Sequence, residues 1–199
     1  DWLAAAARRH TTVVRLQTGD PGLYGALIEM TRPLTAAGIA WAVVPGVSSA
    51  MAAMAAAGET LTLPEVTQTV ILTRVAGRTP MPPGEELEAL AAHKTTLCIY
   101  LSITLLHKVQ EALLKAGWDE DATILVVQKA SWPGEEKIVR GTIKDIKKKC
   151  QDEKIASQAM IVASPTLGAA DWPELIRSKL YDPTFAHRFR KASEKSDHE

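Results

Sequence analysis

Cysteine is scarce in this chain of 199 residues, with only Cys98 and Cys150, and the two follow no pattern. That excludes a disulfide framework and a metal site built on cysteine spacing. Free thiols fit the reducing cytoplasm. His10, His93, His107 and His187 show no metal-ligand spacing either, so no metal is expected. A surplus of either charge is missing too, because 23 basic residues balance 23 acidic ones. No global field draws the chain to nucleic acid or to a membrane surface, and any basic site has to be local. No apolar run is long enough to span a bilayer. Leu3 to Ala7 is too short for a secretory core, and the basic pair Arg8-Arg9 follows it instead of preceding it. There is no internal repeat and no low-complexity region. Cys98 lies in the apolar run Leu97 to Leu101 and reads as core, whereas Cys150 ends a lysine-rich helix and reads as partly exposed.

What is present is a pair of strand-to-helix turns. The run from Val13 ends in Thr18-Gly19-Asp20-Pro21, and a helical pattern follows at once. Trp41-Ala42-Val43-Val44 reads as a second buried strand, running into Pro45-Gly46-Val47-Ser48-Ser49 and a helix rich in Ala and Met. In open α/β sheets small ligands bind at such strand ends. Glycine allows close approach of the backbone, and the free amides of a helix start attract polar or negative groups. If the two strands are parallel neighbours, both turns lie on one edge. The same residues also suit plain helix starts, with Asp20 and Ser48 as N-caps and Pro21 in the first turn.

The rest of the chain alternates strands and helices, which favours an α/β architecture with parallel pairing. A helix from about Pro21 shows Leu23, Leu27, Met30 and Leu34 on one face, with Pro33 expected to kink or end it and Gly38 to stop it. The Ser48 helix stops near Gly58. A linker at Thr60 to Pro64 places the domain boundary there, giving an N-terminal domain over 1–63 and a C-terminal one over 64–190. Strands are expected at Gln68 to Arg74, Thr95 to Leu101, Ala122 to Gln128, Lys137 to Arg140 and Met160 to Ala163. Val75 to Gly84 is a proline-rich loop. Helices are expected at Glu85 to His93, after Ser102 as cap, and from Thr142 to Gln151. Residues 191–199 are polar and expected to be disordered.

Thr18-Gly19-Asp20-Pro21 with Tyr24-Gly25, followed by Pro45 to Ser49, resembles the tetrapyrrole (corrin and porphyrin) methyltransferases. Further pieces narrow the resemblance to the branch that methylates C-11 of precorrin-4. They are Leu63 to Arg74, Gly77-Arg78-Thr79-Pro80, Lys129-Ala130-Ser131-Trp132-Pro133, Ile138 to Thr142 and Ser178 to Pro183. The resemblance runs from about residue 8 to about residue 190, and the order and spacing of the pieces carry it.

That resemblance implies a two-domain fold, with a parallel-rich sheet in the N-terminal domain, a mixed sheet in the C-terminal domain and a cleft between. It implies S-adenosylmethionine as methyl donor and S-adenosylhomocysteine as product. Gly19, Asp20, Ser48, Ser49, Leu101, Ser102, Ala130, Ser164 and Pro165 would line the donor. The acceptor would be a tetrapyrrole bearing many carboxylates, for which Arg74, Arg78, Lys129 and Arg140 are the candidate clamps; each also reads as a solvated surface residue. Asp20 and Tyr24 are the candidate catalytic residues. Asp20 would steer substrate or help remove a ring proton, or would only cap a helix; Tyr24 would face the macrocycle or pack beneath the loop. The resemblance implies a cytoplasmic homodimer without nucleic-acid or membrane partners. The chain opens on Asp1, and relatives carry a preceding segment with a first strand and a glycine-rich loop, so a truncated or processed form is expected. Other readings are methylation of another tetrapyrrole position, a protein residue or ribosomal RNA, and a donor-binding module without activity.

Overall fold

A computed structural model of the chain describes residues 2–174, 178, 179, 185 and 186. The expected disordered tail, His187 and most of the Ser178 to Pro183 piece lie outside the described residues. The fold divides into two compact units, Asp1–Ala52 and Ala53–Glu199.

The first unit contains α1 (Trp2–Ala7), α2 (Leu27–Ala36) and the start of α3 (Ser49–Ala57). The two strands expected at Val13 and Trp41 do not form: among the described residues this unit has no strand. A strand persists only where a neighbour takes up its N–H and C=O groups. Neither stretch has such a neighbour here, and their apolar side chains stand in the open, Leu16 at 88 % exposure. The parallel-rich N-terminal sheet is therefore not part of the described fold.

α2 also begins later than expected. Leu23 N–H bonds Asp20 O at 3.2 Å in a turn, and Tyr24 and Ala26 then adopt φ of 53° and 51°. Those left-handed residues cannot continue a helix, so it starts only at Leu27. Pro33 removes one donor without ending α2, which runs on to Ala36. The stop is the expected one. Gly38 takes φ 64°, and Ile39 N–H reaches back to Leu34 O at 3.0 Å.

The second unit is built on a mixed five-stranded sheet. Its strands are β1 (Val70–Arg74), β2 (Thr96–Tyr100), β3 (Thr123–Gln128), β4 (Lys137–Thr142) and β5 (Ala159–Ala163), in the order β1-β2-β5-β3-β4. Only β1 and β2 pair in parallel; the other three pairings are antiparallel. β2, β5 and β3 are near-continuous apolar runs because they occupy the middle of the sheet. Leu97, Ile99, Ile124, Val126, Ile161 and Ala163 alternate onto one face. They pack with side chains of α4 (Leu87–Ala91), α5 (Leu106–Lys115) and α6 (Ile146–Asp152). Cys150 of α6 belongs to that core at 2 % exposure, so its expected partial exposure is corrected. α6 starts at Ile146, where Asp145 accepts the Thr142 amide at 2.7 Å.

The register decides where the loops fall. Ile161 of β5 lies opposite both Ile99 of β2 and Val126 of β3. The C-terminal ends of β1, β2 and β3 therefore line one edge of the sheet. The C-terminal end of β5 lies on the other. No helix among the described residues is long and apolar enough to cross a membrane.

Candidate functional site

The two turns of the first unit meet. Asp20 accepts the Gly22 amide at 2.8 Å through one carboxylate oxygen and the Gly46 amide at 3.0 Å through the other. These bonds, the one from Gly46 foremost, hold the Asp20 carboxyl below its ordinary value of 3.8. The backbones touch as well, since a Cβ on Gly46 would stand 2.1 Å from Gly19 O. Only glycine fits there. Asp20 is thus not the helix cap that its position suggested: α2 starts at Leu27 behind Ala26, with no side-chain cap. Its carboxylate ties one turn to the other. Past the second turn, Ser48 accepts the Ala52 amide at 3.0 Å through its carbonyl, and Ser49 opens α3. Tyr24 is 46 % exposed. The arrangement combines close-packed glycine backbone, an oriented carboxylate and the start of a helix. Such a combination can meet the polar groups of a small ligand.

In the second unit the C-terminal edge of β1, β2 and β3 carries Leu101, Ser102 and Ala130. Leu101 adopts φ 53° with its side chain 73 % exposed. Lys129 and Ser131, on either side of Ala130, take φ of 50° and 68°. With Gln158, which precedes β5 on the same edge at φ 52°, four non-glycine residues in the left-handed region lie there, each at a cost of roughly 1–2 kcal/mol. Such strain concentrates where the backbone has a task besides stability. Nothing in the residue types announced it, since none is Gly, Asn or Asp. Ser102 is buried, and its hydroxyl is committed: it donates to Tyr100 O at 2.6 Å and accepts the Val75 amide at 2.9 Å. It therefore does not cap the following helix, as had been expected; it fixes the start of the proline-rich loop.

Ser164 and Pro165 do not join this group. They follow β5, on the opposite edge. Ser164 Oγ lies within hydrogen-bonding distance of Thr96 Oγ1 and, at 2.9 Å, of Thr166 Oγ1, and its single proton serves one of them. Thr166 Oγ1 donates to Thr60 O and Thr96 Oγ1 to Leu61 O, both at 2.7 Å. This buried chain of hydroxyls anchors the Thr60 to Pro64 stretch, and it corrects the expectation that Ser164 and Pro165 converge with Leu101 and Ala130.

A family model described as Tetrapyrrole (Corrin/Porphyrin) Methylases matches residues 1–147. A relative from Priestia megaterium named cobalt-precorrin-4 C(11)-methyltransferase is 50 % identical over 184 residues, covering 92 % of this chain and 71 % of its own. One from Pseudomonas aeruginosa named precorrin-4 C(11)-methyltransferase is 43 % identical, covering 94 % and 73 %. The solved structure of a cobalt precorrin-4 methyltransferase superposes with a TM-score of 0.78 at 46 % identity, over 81 % of this chain and 69 % of that one. This chain belongs to the tetrapyrrole methylases. It is an S-adenosylmethionine-dependent methyltransferase. A uroporphyrin-III C-methyltransferase from Thermus thermophilus, solved with S-adenosylhomocysteine, is more distant at TM-score 0.68 and 26 % identity, over 84 % of this chain and 72 % of that one.

Of the basic residues expected to clamp substrate, Arg74, Arg140 and Lys129 have partners within the chain. Arg74 donates to Thr79 O at 3.2 Å and Pro80 O at 2.8 Å, and so shapes the proline-rich loop. Arg140 pairs with Glu59 and donates to Ala57 O at 2.7 Å, at the end of α3. Lys129 pairs with Glu135 and lies 5.2 Å from the centre of the Trp132 ring. Arg78 is exposed on the loop that Arg74 holds. Glu59, which the sequence did not single out, has a side chain only 8 % exposed and also accepts the Gly168 amide at 3.1 Å.

Proposed function

We propose that this chain transfers a methyl group from S-adenosylmethionine to C-11 of precorrin-4 or its cobalt form, a step of corrin assembly. The observation that carries this reading is 50 % identity across 92 % of the chain to a protein named for that reaction. The sulfonium of the donor supplies a methyl group that is already electrophilic. The protein then has mainly to hold donor and acceptor carbon in line, and such positioning supplies roughly 7–11 kcal/mol of a barrier.

In this reading Gly19, Asp20, Ser48 and Ser49 hold the donor in the first unit, and Leu101, Ser102 and Ala130 do so in the second, Ser102 through its backbone. Ser164 and Pro165 are left out, because their edge of the sheet faces away from Leu101 and Ala130. Asp20 acts by position and charge. Two amide bonds hold its carboxyl below 3.8, and a group so acidic is a weak proton acceptor near neutral pH. Tyr24 lies against the macrocycle. Arg78 and Lys129 meet its carboxylates, while Arg74 and Arg140 keep their loops in shape. The enzyme works as a cytoplasmic homodimer.

The test is methyl transfer from labelled S-adenosylmethionine to precorrin-4 and to cobalt-precorrin-4, alongside calorimetry of donor binding. Label at C-11 is expected with one or both acceptors. Donor binding without transfer to either would reduce the chain to a donor-binding module, and transfer to another ring position would replace the acceptor assignment.

A further inference from the structure

A cavity of about 390 Å³ opens in the second unit, among Lys94, Trp118, Asp119, Thr123, Pro165 and Trp172. It lies at the start of β2 and β3, the edge of the sheet opposite Leu101 and Ala130, and the methyl-transfer reading leaves it unused. Its size is within the range of small-molecule sites.

The walls are chemically selective. Two indoles give flat apolar surface. Trp118 is 9 % exposed and its ring N–H bonds Ala91 O at 2.8 Å, so that wall is fixed before any ligand arrives. The Lys94 ammonium stands 5.5 Å from the centre of the Trp118 ring. Lys94 takes part in none of the ion pairs among the described residues. Its backbone, between α4 and β2, has φ 54°, where glycine would sit without strain. A long cation occupies that position instead. Asp119 uses one oxygen to accept the Asp121 amide at 2.8 Å, and its second oxygen can accept a donor from a ring edge.

The indoles offer apolar and π surface, and the Lys94 ammonium adds a positive charge that favours an anionic group. We propose that the cavity is a second ligand site, distinct from the donor site, for a flat heteroaromatic ring bearing a phosphate. The ring lies against Trp172, its N–H edge faces Asp119, and Lys94, held over the Trp118 ring, meets the phosphate as a point charge. A purine nucleoside monophosphate has this chemistry. The proposal does not depend on the identity of the methyl acceptor.

The experiment is calorimetric titration of the whole chain with adenosine 5′-monophosphate, with and without saturating S-adenosylhomocysteine. Submillimolar binding is expected, unchanged by S-adenosylhomocysteine. Adenosine and ribose 5-phosphate should each bind at least tenfold more weakly, since each lacks one half of the recognised pattern. Lys94→Gly relieves the backbone while removing the ammonium and should weaken binding at least tenfold, as should Trp172→Ala. Lys94→Gln, with a thermal melt, checks that the loss is not unfolding. The absence of binding at millimolar nucleotide would overturn the proposal. So would displacement by S-adenosylhomocysteine, equal binding of adenosine, or unchanged affinity in both Lys94 variants.

Discussion

Asp20 holds Gly46 through a 3.0 Å hydrogen bond that closes 26 residues of chain. Two turns that read as separate helix starts are thereby one structure. The bond links a carboxylate to a backbone amide, so side-chain variation at position 46 cannot replace it, and a side chain there would strike Gly19 O. Replacing Asp20 by Ala should loosen both turns and weaken donor binding, whereas Asn should restore part of it by keeping one acceptor. The measurement is donor affinity of the two variants beside their melting temperatures. Wild-type affinity in Asp20→Ala would mean that the turn plays no part in holding the donor.

The same bond sets a pH dependence. The folded-state pKa of Asp20 is lowered below 3.8, first by the Gly46 amide and then by that of Gly22. The unfolded chain therefore binds the proton more readily, and the contribution to stability is complete above 3.8 and lost as pH falls through the depressed value. The Gly46 amide resonance should stay constant from neutral pH down to about pH 4 and move only below it. A midpoint above 3.8 would contradict the bond.

Glu59 and Arg140 join the end of α3 to β4. The Glu59 carboxylate is nearly buried and also accepts the Gly168 amide. Arg140→Ala leaves it with backbone partners alone and should cost about 1–3 kcal/mol, discounted by the half-exposed guanidinium. A double-mutant cycle with Glu59→Gln, read by urea unfolding, should show coupling between the two. Independent effects would mean that the pair contributes nothing of its own.

The second unit was legible in the sequence because its strands are apolar runs bounded by loops, and β2, β3 and β5 fall within a residue or two of expectation. Helix stops were legible for a similar reason, as Gly38 and Gly58 both take positive φ. The first unit was misread where a local pattern needs a distant partner. Val13 to Gln17 has strand composition, but pairing is not local. Asp20 has the composition of a cap, yet its acceptor role goes to Gly46 because Tyr24 and Ala26 break the helix. The placement of Ser164 failed on topology, since an antiparallel β5 sends the residues after it to the far edge. The strain at Leu101, Lys129 and Ser131 left no trace in residue type, and Glu59 looked like any surface glutamate.

Both cysteines should be inert in the folded protein. Burial pushes the Cys98 thiol up to about 12 and that of Cys150 up to about 11. The thiolate is the reactive form, so a disulfide reagent at mildly alkaline pH should label neither until urea is added. The linkage has a sign. Above the ordinary value of 9.0 the unfolded chain loses these protons and the folded one keeps them, so stability should fall as pH rises from 9.0 toward about 11–12. Rapid labelling of the folded protein at Cys150 would mean that the core around α6 opens readily, and at Cys98 that β2 is readily uncovered.

Leu101 separates stability from function most cleanly. Its left-handed backbone is strained, and its side chain gains little from burial at 73 % exposure. If packing alone mattered, Leu101→Asn would raise stability by up to about 1 kcal/mol, because asparagine tolerates that conformation better. Retaining leucine there makes sense if the apolar side chain covers part of the donor. The variant should therefore melt no lower than the parent yet bind S-adenosylmethionine at least tenfold more weakly, with Lys129→Asn as a second strained position on the same edge. Unchanged donor affinity in Leu101→Asn would remove this edge from the donor site, and a lower melting temperature would show that the leucine contributes packing which its exposure conceals.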